Sequence, residues 1–174
     1  RHHVLVYDTG PKLGAALDAG RAVLVPFLRQ QGADQVDTLI VSHADNQHLG
    51  GVRSLRELMP VTRMLTSDPA RTPIDKAEPC QAGQTWEWDG VRFQMLHPPP
   101  TGFSGDEASC VLKVEGAAGR VLLPGDIEAA AEMALVATPG TELAAEILVA
   151  PHHGHRDLPT PAFLAAVRPR YVLF

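Results

Sequence analysis

Between residues 43 and 48 the chain places two imidazoles and a carboxylate, His43, Asp45 and His48, with the amide of Gln47 among them. The surrounding run, V-S-H-A-D-N-Q-H-L-G-G over residues 41–51, follows an apolar stretch and ends in paired glycines. Three other places share the form of an apolar run followed at once by metal-ligand types: Tyr7-Asp8, Pro124-Gly125-Asp126 and Pro151-His152-His153-Gly154. Groups at strand ends are anchored by a sheet yet reach into loops, where they can surround a cation. Singly, each is an ordinary turn or N-cap residue. Together they point to a divalent metal site. Metal binding lowers the pKa of water from about 15.7 to about 7, worth on the order of 12 kcal/mol at ~1.36 kcal/mol per unit. Only metal ligands in this sequence can arrange a shift of that size.

The elements that must hold these groups follow from the hydrophobic pattern. Val4–Tyr7 and Val36–Val41 read as buried strands that deliver Asp8 and His43. A helix is expected over Arg21–Gln31, with Val23, Leu24, Phe27 and Leu28 on its buried face and its true start near Val25 because of Pro26. Leu49–Leu58 is a second helix with His48 at its first turn, Gly50-Gly51 permitting close backbone approach, and Val61–Leu65 a third strand. Thr66–Gly83 reads as loop. Trp86–Phe93 alternates around Asp89-Gly90, the signature of a hairpin, and Ser109–Val114 with Arg120–Leu123 forms a second one. Glu128–Ala137 is a helix, Ile147–Ala150 a strand, and Thr160–Val167 a helix with Pro161 at its first position. The order is β-α-β-α-β, then hairpins, then β-α-β-α-β. Two groups of strands with helices outside give an α/β chain arranged as a four-layer αββα sandwich.

A length of 174 residues suits one domain. The net charge of −5 argues against a broad basic face for duplex nucleic acid but leaves room for a local basic track. No apolar run approaches the ~20 residues of a membrane span, and no signal-peptide pattern stands at the start. Both ends fall within strand-like runs, so the chain reads as a fragment of a larger protein. Cys80 and Cys110 form no C-x-x-C pair, and free buried thiols are the simpler expectation. A disulfide between them needs an oxidising compartment and adds about 3–4 kcal/mol. His97, before three prolines, reads as structural, His2 and His3 as surface residues of the first strand, and His155 as part of the loop after His153. Trp86 and Trp88 are expected to pack on a core face, with stacking on single-stranded DNA as the alternative.

The runs L-V-Y-D-T-G-P, V-S-H-A-D, D-E-A-S-C-V-L-K-V, L-L-P-G-D-I-E and V-A-P-H-H-G, in that order, carry a family likeness. S-H-A-D-N-Q-H-L-G-G resembles the H-x-H-x-D-H-x-G-G signature of the metallo-β-lactamase superfamily. The full set resembles the C-terminal metallo-β-lactamase-like domain of the ComEC/Rec2 family, the inner-membrane DNA-uptake channels of competent bacteria. That resemblance implies a metallo-β-lactamase-like fold, truncated at both ends, over residues 1–174. It implies one or two divalent ions (Mn, Zn or Mg) and no soluble organic cofactor. The implied ligands are His43, Asp45, His48, Asp126 as bridging carboxylate, and His152 or His153. Asp45, Gln47 and Asp126 would carry the catalysis, while Asp8 supports the signature loop. Asp106 and Ser109 match an Asn-x-x-Ser type segment, with Asp106 itself a departure. Gln47 stands where the family's motif has aspartate; its amide is neutral and cannot accept a proton, which weakens one metal position.

The activity so implied is a nuclease or phosphodiesterase acting on the non-transported strand during transformation. Its partners are single- or double-stranded DNA and the rest of the ComEC channel, and its place is a periplasmic domain of an inner-membrane protein. Two other readings stand beside it: a degenerate, non-catalytic domain that binds DNA or a partner, and a small-ester, thioester or lactone hydrolase of the same fold.

Overall fold

Runs of β-branched and aliphatic residues form three parallel strands, β1 (Leu5–Tyr7), β2 (Val36–Val41) and β3 (Val61–Thr66). A two-residue strand, β4 (Glu78–Pro79), pairs in parallel with β3 inside the segment expected to be loop, giving a sheet in the order β1-β2-β3-β4. The structure, a computed structural model, describes residues 2–72, 76–155 and 158–174, so part of that expected loop lies outside the described residues. The chain divides into two compact units, Arg1–Pro79 and Cys80–Phe174.

In the first unit, parallel pairing demands helical crossovers. The first is α1 (Val25–Gln30), preceded by a π-helical turn over Gly20–Leu24 in which the Val25 N–H bonds to the Gly20 carbonyl. Pro26 has no N–H to give, and the helix takes its α form only at Val25, as expected. The wide turn shifts the helical phase. Val23 and Phe27, expected on the buried face, are therefore 60% and 54% exposed, while Val25 and Leu28 meet the core. The second crossover begins earlier than expected, as α2 (Asn46–Leu49), and resumes as α3 (Val52–Leu58) after Gly50-Gly51. Val52 and Leu55 of α3 pack with Val6, Leu39 and Val41 of the sheet.

The second unit is a six-stranded mixed sheet ordered β10-β9-β8-β7-β6-β5. β5 (Thr85–Trp88), β6 (Val91–His97), β7 (Val111–Gly116) and β8 (Gly119–Leu123) form the antiparallel meander that the hairpin signals indicate. β9 (Ile147–Val149) and β10 (Tyr171–Leu173) add in parallel through α4 (Ala129–Ala137) and α5 (Pro161–Val167). Pro161 opens α5, and the Thr160 hydroxyl accepts the Phe163 N–H at 3.3 Å as its cap. Ala131, Leu135, Phe163 and Val167 bury one helical layer against Val111, Leu122 and Leu148.

Cys80 and Cys110 are joined in a disulfide with their Cα atoms 6.0 Å apart, correcting the free-thiol expectation. Sequence spacing cannot reveal such a pair; it arises because the chain entering the meander returns beside the start of β7. Among the described residues, no helix is long and apolar enough to cross a membrane.

Candidate metal centre

Each cluster of polar groups lies just beyond the C-terminal ends of parallel strands, where open α/β sheets place their ligands. In the first unit Asp8 follows β1 in a left-handed conformation (φ 61°), a state that costs a non-glycine residue about 1–2 kcal/mol. Its carboxylate spans two partners: Oδ1 accepts the Ser42 N–H at 2.7 Å, and Oδ2 lies 2.8 Å from His48 Nδ1. The Ser42 hydroxyl is 3.2 Å from His43 Nδ1 and 3.1 Å from His48 Nδ1. The two rings lie with centroids 4.2 Å apart, and both residues are buried. Thr9 fixes the helix between them, its N–H and hydroxyl both donating to the His48 carbonyl at 2.8 Å. A carboxylate on Nδ1 sets the tautomer and directs ligation to Nε2, the arrangement by which proteins orient metal-binding histidines.

Asp45 is the N-cap of α2, accepting the Gln47 N–H on Oδ1 at 2.6 Å, and the Gln47 side chain is exposed. Gly50 and Gly51 have a tight purpose. A Cβ on Gly50 would overlap the backbone of Lys12, and one on Gly51 the backbones of Gly20 and Thr9. The signature loop therefore packs backbone to backbone on the chain after β1.

In the second unit Asp126 follows β8, buried, with its N–H donated to the Ser109 hydroxyl at 3.1 Å while that hydroxyl donates to the Asp106 carbonyl at 2.7 Å. His152 and His153 follow β9, both with positive φ (47° and 55°), and the His152 N–H donates to the Gly125 carbonyl at 3.1 Å. Asp126 Oδ2 lies 3.5 Å from His153 Nε2 and 4.0 Å from His152 Nε2. His152 Nδ1 lies 3.3 Å from Glu128 Oε1. Ligand atoms of Asp106, Glu128 and His152 all fall within 4.8 Å of one another. His155 stacks on His152, ring centroids 5.1 Å apart.

Two residues escaped the sequence reading. Glu128, taken only as the start of α4, sets its carboxylate beside His152. Glu107 accepts the N–H groups of Glu128, Ala130 and Ala131 at 2.9–3.1 Å, capping α4 from the Gly105–Ala108 turn. The signal available for Glu128 was an acid two residues beyond Asp126 at a helix start; for Glu107 there was none. His97 is structural as expected: buried, hydrogen-bonded through Nε2 to the Glu107 carbonyl at 2.7 Å, and packed edge-on to Phe103. Burial pushes its imidazole below the ordinary histidine value, against the raising effect of Glu107. Trp86 stacks on Phe93 with centroids 5.1 Å apart, so its ring packs within the meander. His2 and His3 are exposed, ahead of β1 rather than in it.

The donors fit a divalent cation: imidazoles oriented through the other ring nitrogen in one unit, carboxylates beside imidazoles in the other. The profile of the metallo-β-lactamase superfamily matches residues 1–173. The chain belongs to the metallo-β-lactamase superfamily. The superfamily's fold implies a divalent metal, and the two sheets with their crossover helices are its mixed α/β framework. Among proteins it resembles, competence protein ComA of Neisseria gonorrhoeae is 33% identical over 97% of this chain and 23% of its own length. Recombination protein 2 of Haemophilus influenzae is 32% identical over 95% of this chain and 20% of its own length. The chain thus spans about a fifth of the relatives it matches. A crystal structure of MEM-A1, a subclass B3 metallo-β-lactamase from a soil metagenome library, superposes with a TM-score of 0.59 at 12% identity, covering 94% of this chain and 77% of that one. That likeness is one of fold.

Proposed function

We propose that the chain is the metal-dependent phosphodiesterase domain of a DNA-uptake protein of the ComEC/Rec2 kind, cutting the strand that is not transported. The ligands in this reading are His43, Asp45, His48, Asp126 and His152 or His153, with Asp8, Asp106 and Ser109 in support. A divalent ion held by these residues would lower the pKa of water and offset negative charge on the phosphoryl oxygens. The observation that carries the reading is the 2.8 Å contact between Asp8 and Nδ1 of the buried His48, because a surface histidine needs no such orientation. Asp126, fixed through its N–H by Ser109, presents a carboxylate of set direction. Gln47 is neutral and cannot take the proton of an attacking water, which leaves Asp45 and Asp126 as the catalytic carboxylates of this reading. The names of the relatives, a competence protein and a recombination protein, support DNA as substrate. The disulfide fits an oxidising compartment and supports periplasmic placement.

Purified chain with manganese should nick single-stranded DNA and leave generic esters intact. Cleavage of esters with DNA untouched would favour a small-ester hydrolase. Gln47 favours a second reading, a degenerate domain that binds without cutting. In that case the chain is inert and Gln47→Asp raises metal uptake.

A further inference from the structure

The net charge hides an asymmetry: Arg1–Pro79 holds nine basic and nine acidic residues, Cys80–Phe174 six and eleven. Three of the first unit's nine cations, Lys12, Arg53 and Arg56, line one cleft. This cleft of about 570 Å³ is lined by Lys12, Asn46, Gly50, Arg53, Arg56 and Glu57 among others. Lys12 is fixed there by the backbone, its N–H reaching Asn46 Oδ1 and its carbonyl accepting from Asn46 Nδ2, both at 3.2 Å. The glycine-only approach of Gly50 to Lys12 holds the same loop down. Asn46 opens α2, the helix that carries His48, so the cleft and the histidine cluster share one short element. Arg53 and Arg56, three apart on α3, put exposed guanidinium groups along the cleft. Glu57 is engaged by Arg53 at 2.9 Å and by Arg21 at 3.4 Å, so the wall keeps a positive excess.

We infer that this cleft grips the phosphate backbone of a single DNA strand next to the signature loop, with Lys12, Arg53 and Arg56 as the phosphate contacts. The choice of DNA rests on the phosphodiesterase reading; the cationic cleft does not. A cleft of this volume takes a length of one phosphodiester chain inside it, whereas a duplex would have to lie across its rim. Arginine at i and i+3 on one helix face suits successive phosphates, since each guanidinium can take a phosphate through two N–H groups.

The test is fluorescence anisotropy of the 174-residue chain with a labelled oligo-dT 20-mer in EDTA, so that metal plays no part, across a salt series. Lys12→Gln/Arg53→Gln/Arg56→Gln should weaken binding at least tenfold and flatten the log–log salt slope by about 2, at ~0.7 per lost contact on single strands. Arg56→Gln alone should flatten it by about 0.7, which keeps the idea testable if the triple variant folds poorly. A charge-matched control in the second unit, Arg92→Gln/Arg168→Gln/Arg170→Gln, should change affinity less than twofold. Glu57→Gln should tighten binding about twofold or more. Loss in the control equal to that in the triple variant, an unchanged salt slope, or duplex competing as well as single strand overturns the inference. Metal content, measured separately by mass spectrometry, should be the same in the triple variant and wild type. A chain that binds no metal but shows these slopes sinks the enzyme reading and leaves the cleft standing.

Discussion

The histidines of the two units are held by opposite means. His43 and His48 are buried and aimed by side chains: the Asp8 carboxylate, the Ser42 hydroxyl and the Thr9 clamp on the His48 carbonyl. His152 and His153 are 24% and 58% exposed at their side chains, and their direction comes from consecutive left-handed backbone conformations tied to the Asp126 turn. The first cluster spends its hydrogen bonds on orientation within a neutral unit; the second sits among carboxylates in a unit that carries the whole net negative charge. Burial with a carboxylate partner gives a precise but inflexible donor. Backbone strain gives a donor that can adjust, at a cost in stability.

The comparison breaks most visibly at the proposed ligands. His43→Ala and Asp126→Ala should each lower metal affinity at least ~100-fold, well beyond the 10–100-fold of a supporting residue, with the far-UV circular dichroism unchanged. Metal content by mass spectrometry is the check. If one variant keeps its metal, only the other unit supplies ligands.

Next is the disulfide, which lies wholly in the second unit. Cys80→Ala/Cys110→Ala opens a loop of sequence separation 30 and should lower urea stability by about 3–4 kcal/mol. Cys110 adjoins Ser109, so the histidines of the second unit should lose order while His43 and His48 keep their NMR shifts. Equal disturbance in both pairs would contradict a local effect of the disulfide.

Asp8→Asn tests aiming by side chain. It retains the shape but loses the charge that faces His48 Nδ1, so metal affinity should fall about 10–100-fold with little change in unfolding midpoint. His153→Gly tests aiming by backbone. Relief of the left-handed conformation should raise stability by up to ~1 kcal/mol while metal binding weakens. A loss of stability would show that the conformation carries no strain.

The smallest effect concerns pH. Burial depresses the folded-state pKa of His97 below its unfolded value of about 6.5. As pH falls through that value the unfolded chain takes up a proton that the native state resists. His97 therefore contributes stability that is present above about 6.5 and lost as pH drops toward the folded pKa. His97→Gln keeps a donor for the Glu107 carbonyl without titrating, so urea midpoints at pH 7.5 and 5.5 should differ less than in wild type.

Much of this architecture was readable in the chain alone. The strands, the Asp89-Gly90 hairpin, the Thr160-Pro161 helix start and all four strand-end clusters follow from periodicity and turn chemistry, which act over a few residues. The signature loop was legible because its ligand types fall within six residues, from His43 to His48. What the sequence could not express are relations between residues far apart in it. The Cys80–Cys110 bond and the Glu107 cap on α4 depend on which strands become neighbours, and so do the atoms by which Asp8, whose support of the signature loop only the family resemblance implied, holds Ser42 and His48. The rotated face of α1 turned on one wide helical turn, a small change in phase that no apolar pattern records. Local chemistry chose the donors, and the pairing of distant strands decided which partner orients each of them.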